Sequence, residues 1–409
     1  MGSHYVIKKD INIIMQSRKK VYIIAAKRSA LCKAKKGGFV NLRPDDLLAN
    51  VIRELVAESK IAPSDIGDTI IGCAFPEAEQ GLNIARVAVL LAGLPNSVPA
   101  ATVNRYCSSG LNAISMAANS IANGEIELAL AGGVESMTMI PMGGHNFSIS
   151  PQVFLNDDNV ALAYGMGITA EKVAQQWHIS RYDQDKFAYE SHMKAIKAQQ
   201  ESCFKQQIIP INTVLKQVVE GRIETINQLI SSDDGIRVDT SIESLSKLKP
   251  VFDMKGSVTA GNSSQMTDGA AGVILASEDY VKQYNIKPLA RFCGFAVSGV
   301  PAEIMGIGPI KAIPKILAQT NLTLPQIGWI ELNEAFAAQS LAVINELGIN
   351  PKVINPYGGA IALGHPLGAT GAVLTVKAIA GMHQKDIQYA MVTMCIGAGM
   401  GAAAILEKV

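Results

Sequence analysis

Apolar positions along the first third of the chain follow two alternating patterns. Short apolar runs at 20–29 and 68–75 have the length and the branched side chains of buried strands, and the stretches at 43–59 and 83–94 repeat apolar residues at helical spacing. The same alternation continues to about residue 139. It predicts a mostly parallel sheet with helices packed on its faces.

The last third of the chain repeats this rhythm. We predict a strand and a helix over 325–348, a strand, a glycine-rich loop and a helix over 352–380, and two strands around a tight turn over 387–409. The stretch "PSDIGDTIIG" at 63–72 resembles "LPQIGWIELN" at 324–333, with a proline, an Ile-Gly pair and an apolar strand in the same order. This similarity favours two related halves.

Two regions do not fit the pattern. Residues 140–263 are richer in Met, Gln, Lys and Asp, and we interpret them as an insertion between the halves. Residues 1–17 form an extra N-terminal segment, whose first letters, "MGSH", resemble an expression tag. A signal peptide is disfavoured there because Lys8, Lys9 and Asp10 interrupt the apolar residues.

Composition narrows the class of protein. The net charge is +1 with 17% charged residues, so the charge does not favour a nucleic-acid or membrane-surface partner. No apolar run approaches the roughly 20 residues of a membrane helix, so no transmembrane segment is expected. The 6 cysteines are scattered without a CxxC pair, which disfavours a disulfide framework and favours a reducing compartment.

A cysteine stands where a predicted strand gives way to a helix. In "VNRYCSSGLNAIS", Cys107 precedes two serines and a glycine at the predicted helix N-terminus. The positive end of the helix dipole and the unpaired N–H groups there favour a thiolate, which is the reactive form of a nucleophile. The alternative is a small buried side chain without a chemical role.

A histidine stands in a glycine-rich loop of the last third. His365 lies within "NPYGGAIALGHPLGATGA" at 355–372, just before a predicted helix start at Pro366. Its imidazole is suited to take a proton from a thiol. The alternative is a structural histidine whose hydrogen bonds are satisfied by its neighbours. The glycines indicate that the backbone approaches another group closely.

Two more candidates follow strands in the last third. Cys395 and Gly397 lie in "TMCIGAGMGAA", where a dinucleotide-binding loop is excluded because a terminal strand, and no helix, follows Gly401. Asn333 ends a predicted strand in "ELNEAFAAQ". It is either a site residue at the carboxyl end of that strand or the N-cap of the next helix.

These candidates share one position in the predicted fold. Cys107, His365, Cys395 and Asn333 each come just after a predicted strand, so a parallel sheet brings them to one edge. Two thiols, an imidazole and an amide are suited to the roles of nucleophile, base and acid. Zinc ligands would come in local pairs, so no metal is expected.

Longer motifs connect the chain with a known family. The stretches "VNRYCSSGLNAI", "GGVESMT", "MGITAEKVA", "QDKFAYESHMKA", "VTAGNSSQMTDGAA", "NEAFAAQ", "NPYGGAIALGHPLGATGA" and "CIGAGMGAA" occur in family order from about residue 20 onward. Over this length the chain resembles the thiolases, in particular their degradative, 3-ketoacyl-CoA branch.

The resemblance implies an α/β fold of five layers, α-β-α-β-α. Two similar βαβαβαββ halves are stacked, and a loop domain is inserted in the first. The first half would cover 18–139 together with 264–288, and the second half 289–409. The loop domain, 140–263, would carry contacts to coenzyme A (CoA) and between subunits.

The resemblance also implies a role for each candidate. Cys107 matches the nucleophile that carries the acyl group, and His365 matches the residue that takes its proton. Cys395 matches the group that protonates the departing acetyl-CoA carbanion and later deprotonates CoA. Asn333 matches the residue that holds a water, which forms one oxyanion hole with His365. The N–H groups of Cys107 and Gly397 would form the other.

Positions for CoA follow from the same resemblance. Ser264 matches a serine that contacts the pantetheine arm, and Arg237 matches a residue near the adenine. CoA is a co-substrate in this family, and no permanently bound cofactor is implied. The apolar positions that match the path of the arm are Met166, Phe252, Ala260 and Phe336.

The details of substrate and assembly remain open in the sequence. Gly165 in "YGMG", where short-chain biosynthetic thiolases usually have His, favours medium or long 3-ketoacyl chains. The alternatives are acetoacetyl-CoA synthesis by the same machinery and an inactive thiolase-fold lipid carrier or scaffold. A decarboxylating ketoacyl synthase fits less well, because that relative has histidines where Asn333 and Cys395 stand.

A homodimer or homotetramer is implied by the resemblance, with a β-oxidation multienzyme partner as an option. No nucleic-acid partner is expected. A cytoplasmic location is expected if the protein is bacterial, and a mitochondrial or peroxisomal one if it is eukaryotic.

Overall fold

The first half of the chain alternates strands and helices, as its hydrophobic pattern predicts. The computed structural model describes residues 19–219 and 222–409, so the extra segment predicted at 1–17 lies outside the described residues. The elements up to the insertion are β1 (Val21–Arg28), β2 (Cys32–Lys33), α1 (Pro44–Ser59), β3 (Asp68–Gly72), α2 (Ile84–Leu91), β4 (Ala101–Val103), α3 (Ser109–Ala122) and β5 (Leu128–Ser136).

The inserted region combines four helices and a β-hairpin, among its described residues, with long irregular segments. A buried ion pair fastens it to β1: Nη1 and Nη2 of Arg28 donate to the two carboxylate oxygens of Asp233 at 2.7 and 2.9 Å. The same carboxylate accepts the N–H of Leu31 at 2.8 Å.

The helices and strands of the inserted region are α4 (Asp157–Val160), α5 (Met166–Gln176), α6 (Arg181–Gln200), β6 (Ile211–Val219), β7 (Arg222–Ile230) and α7 (Ile242–Ser246).

The remaining elements complete the first half and form the second. They are β8 (Thr267–Ser277), α8 (Glu278–Gln283), β9 (Ala290–Gly299), α9 (Gly308–Thr320), β10 (Trp329–Leu332), α10 (Ala337–Leu347), α11 (Ala360–Leu363), α12 (Thr370–Lys385), β11 (Tyr389–Ile396) and β12 (Met400–Lys408). The repeated stretches at 63–72 and 324–333 each form a 3₁₀ turn followed by a strand, β3 or β10. Two similar halves are thereby confirmed.

The described strands of the two halves join into one continuous sheet, and β6 and β7 of the inserted region form a separate two-stranded sheet. The first half contributes the order β4-β3-β5-β8-β1, and the second contributes β10-β11-β12-β9, with β1 paired to β9 where the halves meet. Among the described strands, the pairs β3–β4, β3–β5 and β10–β11 are parallel and the others are antiparallel. The prediction of a mostly parallel sheet is wrong, because each half ends in two strands that run in opposite directions.

The strand predicted at the start of 352–380 is also absent from the described residues. Residues Pro351–Val353 form a 3₁₀ turn, and only Ile354 pairs with a strand, through a single parallel bridge to Ile330. The side chain of Asn355 takes over the pairing: it accepts the N–H of Leu332 at 2.9 Å and donates to the carbonyl of Leu332 at 2.8 Å. A backbone φ of 42° at Asn355 turns the chain away from an extended course.

The helices divide into three layers around the sheet. Helices α3 and α12 contact each other between its two parts, and α12 contacts both β8 and β11. Helices α1 and α2 cover the first half on its outer side, and α9 covers β9, β11 and β12 with α10 packed beside it. This arrangement agrees with the five layers implied by the resemblance. It puts the start of α3 and the start of α12 in the centre of the molecule.

A buried ion pair holds α12 to the sheet. Lys377 Nζ lies 2.8 Å from Glu331 Oε2 with side chains 1% and 0% exposed, and it also donates to the Gly358 carbonyl at 2.8 Å. Trp329 Nε1 donates to the other oxygen of Glu331 at 2.9 Å. The pair therefore joins α12, β10 and the glycine-rich loop.

We expect Lys377→Met to lower the free energy of unfolding by about 3–5 kcal/mol, because Glu331 is left as an unpaired buried charge. Denaturant unfolding checks the value. Lys385→Met, at an exposed position of the same helix, should stay within about 0.5 kcal/mol of wild type. Equal losses for the two variants would contradict the role given to the ion pair.

Candidate active site

A cavity of about 590 Å³ lies at the starts of α3 and α12. Cys107, His365, Cys395 and Gly397 line it, although they are as far apart as residues 107 and 397 in the sequence. Three positions predicted for CoA binding also line it: Met166, Ser264 and Phe336. The structure thus brings the two thiols and the imidazole predicted from the sequence to one place.

Cys107 lies in a tight turn just before α3. The 3₁₀ turn Tyr106–Ser108 precedes the helix, and Tyr106 has a φ of +45°, which is strained for a residue with a side chain. Two side chains hold this turn. Asn104 Oδ1 accepts the N–H of Tyr106 at 2.8 Å, and Ser109 Oγ donates to the Tyr106 carbonyl at 2.7 Å. The cysteine is therefore presented by a fixed and strained backbone.

Burial raises the pKa of the Cys107 thiol to about 11, although the backbone N–H groups of Gly397 and of Cys107 itself lower it. The direction is opposite to the one expected from the helix N-terminus, because removal from water outweighs the two N–H groups. The thiol is therefore protonated at neutral pH. Two N–H groups facing its sulfur are also positioned to stabilise negative charge at this place.

His365 is held in one tautomer by its neighbours. Thr370 Oγ1 lies 2.6 Å from Nδ1, and the Thr370 hydroxyl donates to the carbonyl of Pro366 at 3.1 Å. Because that hydroxyl proton is engaged, Nδ1–H of His365 donates to Thr370 and Nε2 carries the lone pair. Burial lowers the pKa of His365 to about 4. The ring is thus a neutral base whose lone pair lies on Nε2.

Asn333 lies beside this imidazole. It follows β10 directly and is fully buried, and its Nδ2 is 3.3 Å from His365 Nε2. Among the described residues, its Oδ1 has no hydrogen-bond partner, so a polar group such as a water fits there. The alternative of an N-cap is wrong, because α10 begins only at Ala337 and Phe336 occupies the cap position.

Cys395 is the penultimate residue of β11 and lines the same cavity as Cys107. Burial raises the pKa of its thiol above the ordinary range, and the negative charge of a Cys107 thiolate raises it further. The tight turn that follows has positive φ at Ala398 and Gly399 and leads directly into β12. The two strands around a tight turn are confirmed.

Three positions predicted for CoA binding do not line the cavity. Phe252 is half-exposed and packs edge-on against Phe336, with ring centroids 6.2 Å apart. Ala260 and Arg237 are exposed and lie outside the lining residues. The N–H of Arg237 donates to Nδ1 of the buried His192 at 3.3 Å, which fixes the backbone at this point.

Two buried carboxylates, to which the sequence assigned no chemical role, support the site. Glu135 accepts N–H groups of Ala74 and Gly368, each at 2.8 Å, and so ties the first half to the turn after His365. Glu334 accepts hydrogen bonds from Ser191 at 2.7 Å and Asn355 at 2.8 Å beneath the glycine-rich loop. Burial raises the pKa of both carboxyls. The sequence signal for such a residue is a charged side chain inside an apolar strand, as Glu135 is in "LALAGGVES".

Over 19–219 and 222–409, His, Cys, Asp and Glu side chains nowhere gather in a group of three suited to a metal ion. In the same part of the chain, every helix is too short or too polar to cross a bilayer.

Comparison with known proteins identifies the family. The model described as "Thiolase, N-terminal domain" matches residues 21–279, and the one described as "Thiolase, C-terminal domain" matches residues 286–408. The chain therefore belongs to the thiolase family, which consists of acyltransferases that use CoA as a substrate.

Individual relatives are similar over nearly the whole length. A 3-ketoacyl-CoA thiolase of Bacillus subtilis (strain 168) is 48% identical over 390 residues, which cover 95% of this chain and 99% of the relative. The dimeric peroxisomal thiolase of Saccharomyces cerevisiae is 42% identical with a TM-score of 0.87, covering 96% of this chain and 98% of that one. The acetyl-CoA acetyltransferase of Bacillus anthracis is 35% identical with a TM-score of 0.86, covering 96% and 100%.

We expect His365 to remain neutral, with its proton on Nδ1, from pH 7 down to about pH 5, because burial lowers its pKa to about 4. Nitrogen-15 NMR of histidine-labelled protein reads both the charge and the tautomer. Thr370→Val removes the acceptor and should release the Nδ1 tautomer, whereas Thr370→Ser should retain it. A wild-type ring that becomes charged near pH 6.5 would contradict the assignment.

Proposed function

We propose that this chain is a 3-ketoacyl-CoA thiolase, which uses CoA to cleave 3-ketoacyl-CoA into acetyl-CoA and a shortened acyl-CoA. The observation that carries the proposal is the meeting of Cys107, His365 and Cys395 around one cavity, with Asn333 against the imidazole. The 48% identity to the Bacillus subtilis enzyme supports the same function.

The first step makes the acyl-enzyme. His365 Nε2 takes the proton of Cys107, whose sulfur then attacks the 3-keto carbon of the substrate. The negative charge formed on the keto oxygen lies near the N–H groups of Cys107 and Gly397, the same groups that lower the pKa of the thiol. The Cys107 proton must pass to His365 before the attack, because the thiol is protonated in the resting enzyme.

The second step breaks the bond between C2 and C3. The electron pair passes to C2 and is delocalised onto the thioester oxygen, where the protonated Nε2 of His365 and a water held by Asn333 stabilise it. Cys395 then donates its proton to C2, and acetyl-CoA leaves. The unsatisfied Oδ1 of Asn333 supports a water at this position.

The third step releases the product. The Cys395 thiolate takes the proton of an incoming CoA, whose sulfur attacks the acyl group on Cys107. The tetrahedral intermediate collapses, and His365 returns its proton to Cys107. Each atom that changes protonation is thus restored, and the kinetics should be ping-pong.

The CoA arm would enter along Ser264, Met166 and Phe336, with Phe252 packed behind Phe336. Arg237 and Ala260, which are exposed, would then serve the outer part of the molecule near the adenine. We also propose that the loop domain, 140–263, is inserted in a first half of 18–139 with 264–288, and that the second half is 289–409.

The degradative branch is favoured over acetoacetyl-CoA synthesis. The chain is more similar to the peroxisomal thiolase, at 42% identity, than to the acetyl-CoA acetyltransferase, at 35%. Gly165, which lines the cavity, has no side chain to shorten the acyl space. An inactive scaffold is disfavoured because the proposed catalytic residues are all present and adjacent to the cavity.

We further propose a homodimer, or a dimer of dimers, in the bacterial cytoplasm if the protein is bacterial. Strand β4 lies at the free edge of the sheet, and the nearby Leu82, Leu90 and Leu91 are 96%, 44% and 45% exposed. An open edge with apolar neighbours is a surface that a second subunit would cover. A mitochondrial or peroxisomal location would apply to a eukaryotic source.

The decisive assay is CoA-dependent loss of 3-ketoacyl-CoA with chains from C4 to C16. We expect kcat/KM to rise from C4 toward the longer chains, because each buried methylene adds roughly 0.8 kcal/mol of binding. Activity confined to C4 would favour acetoacetyl-CoA chemistry. No activity at any chain length would contradict the proposed function.

A further inference from the structure

One wall of the cavity is a loop of the inserted region, residues 142–148, which we call the wall segment. It consists of turns and bends without a helix or strand, so its position depends on contacts with other parts of the chain. The wall-segment residues that line the cavity are Met142, Gly143, Asn146, Phe147 and Ser148.

The carboxylate of Glu77 holds this segment by its backbone. Oε2 accepts the N–H of His145 at 2.9 Å, and Oε1 accepts the N–H of Asn146 at 3.1 Å. Hydrogen bonds to a charged acceptor are stronger than those between neutral groups. Because the two N–H groups belong to consecutive residues, the carboxylate fixes both the place and the direction of the segment.

Gly144 is fitted to this contact. Its φ is +81°, and a Cβ at this position would lie 2.0 Å from Oε2 of Glu77. Its N–H donates to the carbonyl of Pro141 at 2.9 Å, which closes a turn just before the two N–H groups that Glu77 binds. A side chain here would force the segment and the Glu77 carboxylate apart and break both hydrogen bonds.

The wall segment presents apolar surface that the described residues leave uncovered. Phe147 and Met142 line the cavity, yet they are 68% and 50% exposed. Phe75 and Tyr106, which also line the cavity, have ring centroids 6.3 Å apart and extend this surface toward Cys107. Apolar side chains around a nucleophile are suited to the aliphatic chain of an acyl group.

We propose that Glu77 is a positioning residue that holds the wall segment against the cavity and thereby sets the preference for long acyl chains. The inference rests on the proposed thiolase function. A four-carbon acyl group is too short to use an extended apolar wall, whereas each methylene that a longer chain buries contributes a factor of about 4 to binding. Release of the wall segment should therefore affect long substrates selectively.

The test compares kcat/KM for 3-ketohexadecanoyl-CoA and acetoacetyl-CoA. Glu77→Gln keeps the size of the side chain but places an NH₂ group against one of the backbone N–H groups. We expect the ratio of long-chain to short-chain kcat/KM to fall at least about tenfold, with acetoacetyl-CoA cleavage within about twofold of wild type. Gly144→Ala should have the same effect through the steric contact with Glu77.

Matched controls are available for both variants. Glu79→Gln removes a carboxylate two residues away, and Gly93→Ala imposes a side chain at the same φ of +81° with nothing within 4 Å. Both should keep the wild-type ratio. If Glu77→Gln does not fold, Gly144→Ala decides, because it leaves the carboxylate in place.

An unchanged ratio, or equal losses at both chain lengths, would overturn the role of Glu77 while leaving the thiolase function intact. A wild-type enzyme that cleaves acetoacetyl-CoA alone would overturn the preference for long chains. A wild-type enzyme inactive with every 3-ketoacyl-CoA would instead contradict the proposed function.

Discussion

The site depends on a contact between backbones at the centre of the molecule. A Cβ on Gly371 of α12 would lie 2.4 Å from the backbone nitrogen of Leu111 in α3, and a Cβ on Gly133 of β5 would lie 2.3 Å from the carbonyl of Gly368. Only glycine allows approaches this close. They bring the turn that carries Cys107, from the first half, next to the loop that carries His365, from the second.

This burial determines how the site holds its protons. Desolvation disfavours the charged form of each group: the pKa values of Cys107 and Cys395 rise, and that of His365 falls. The resting site therefore contains two thiols and a neutral imidazole rather than an ion pair. Negative charge develops only when a substrate supplies an oxygen or a carbon that can carry it. The N–H groups of Cys107 and Gly397 already face the position of the keto oxygen.

Much of this arrangement could be predicted from the sequence, because each candidate follows an apolar run and the motifs around it are long. The relative direction of neighbouring strands could not be predicted, because an apolar run has the same pattern whether the strand beside it is parallel or antiparallel. Where a strand was predicted before the glycine-rich loop, the side chain of Asn355 makes the hydrogen bonds to β10 instead. A hydrophobic pattern does not reveal such bonds. Arg237 and Ala260 were assigned by motif alone, and they lie outside the cavity lining.

The central claim is that Cys107 carries the acyl group while the other residues move protons. Mixing the protein with 3-ketohexadecanoyl-CoA in the absence of free CoA, followed by an acid quench and peptide mapping by mass spectrometry, tests it directly. The account predicts a 14-carbon acyl adduct on the peptide that contains Cys107, one acetyl-CoA released per adduct, and no adduct in Cys107→Ser. An adduct on Cys395, or one that persists in Cys107→Ser, would contradict the account.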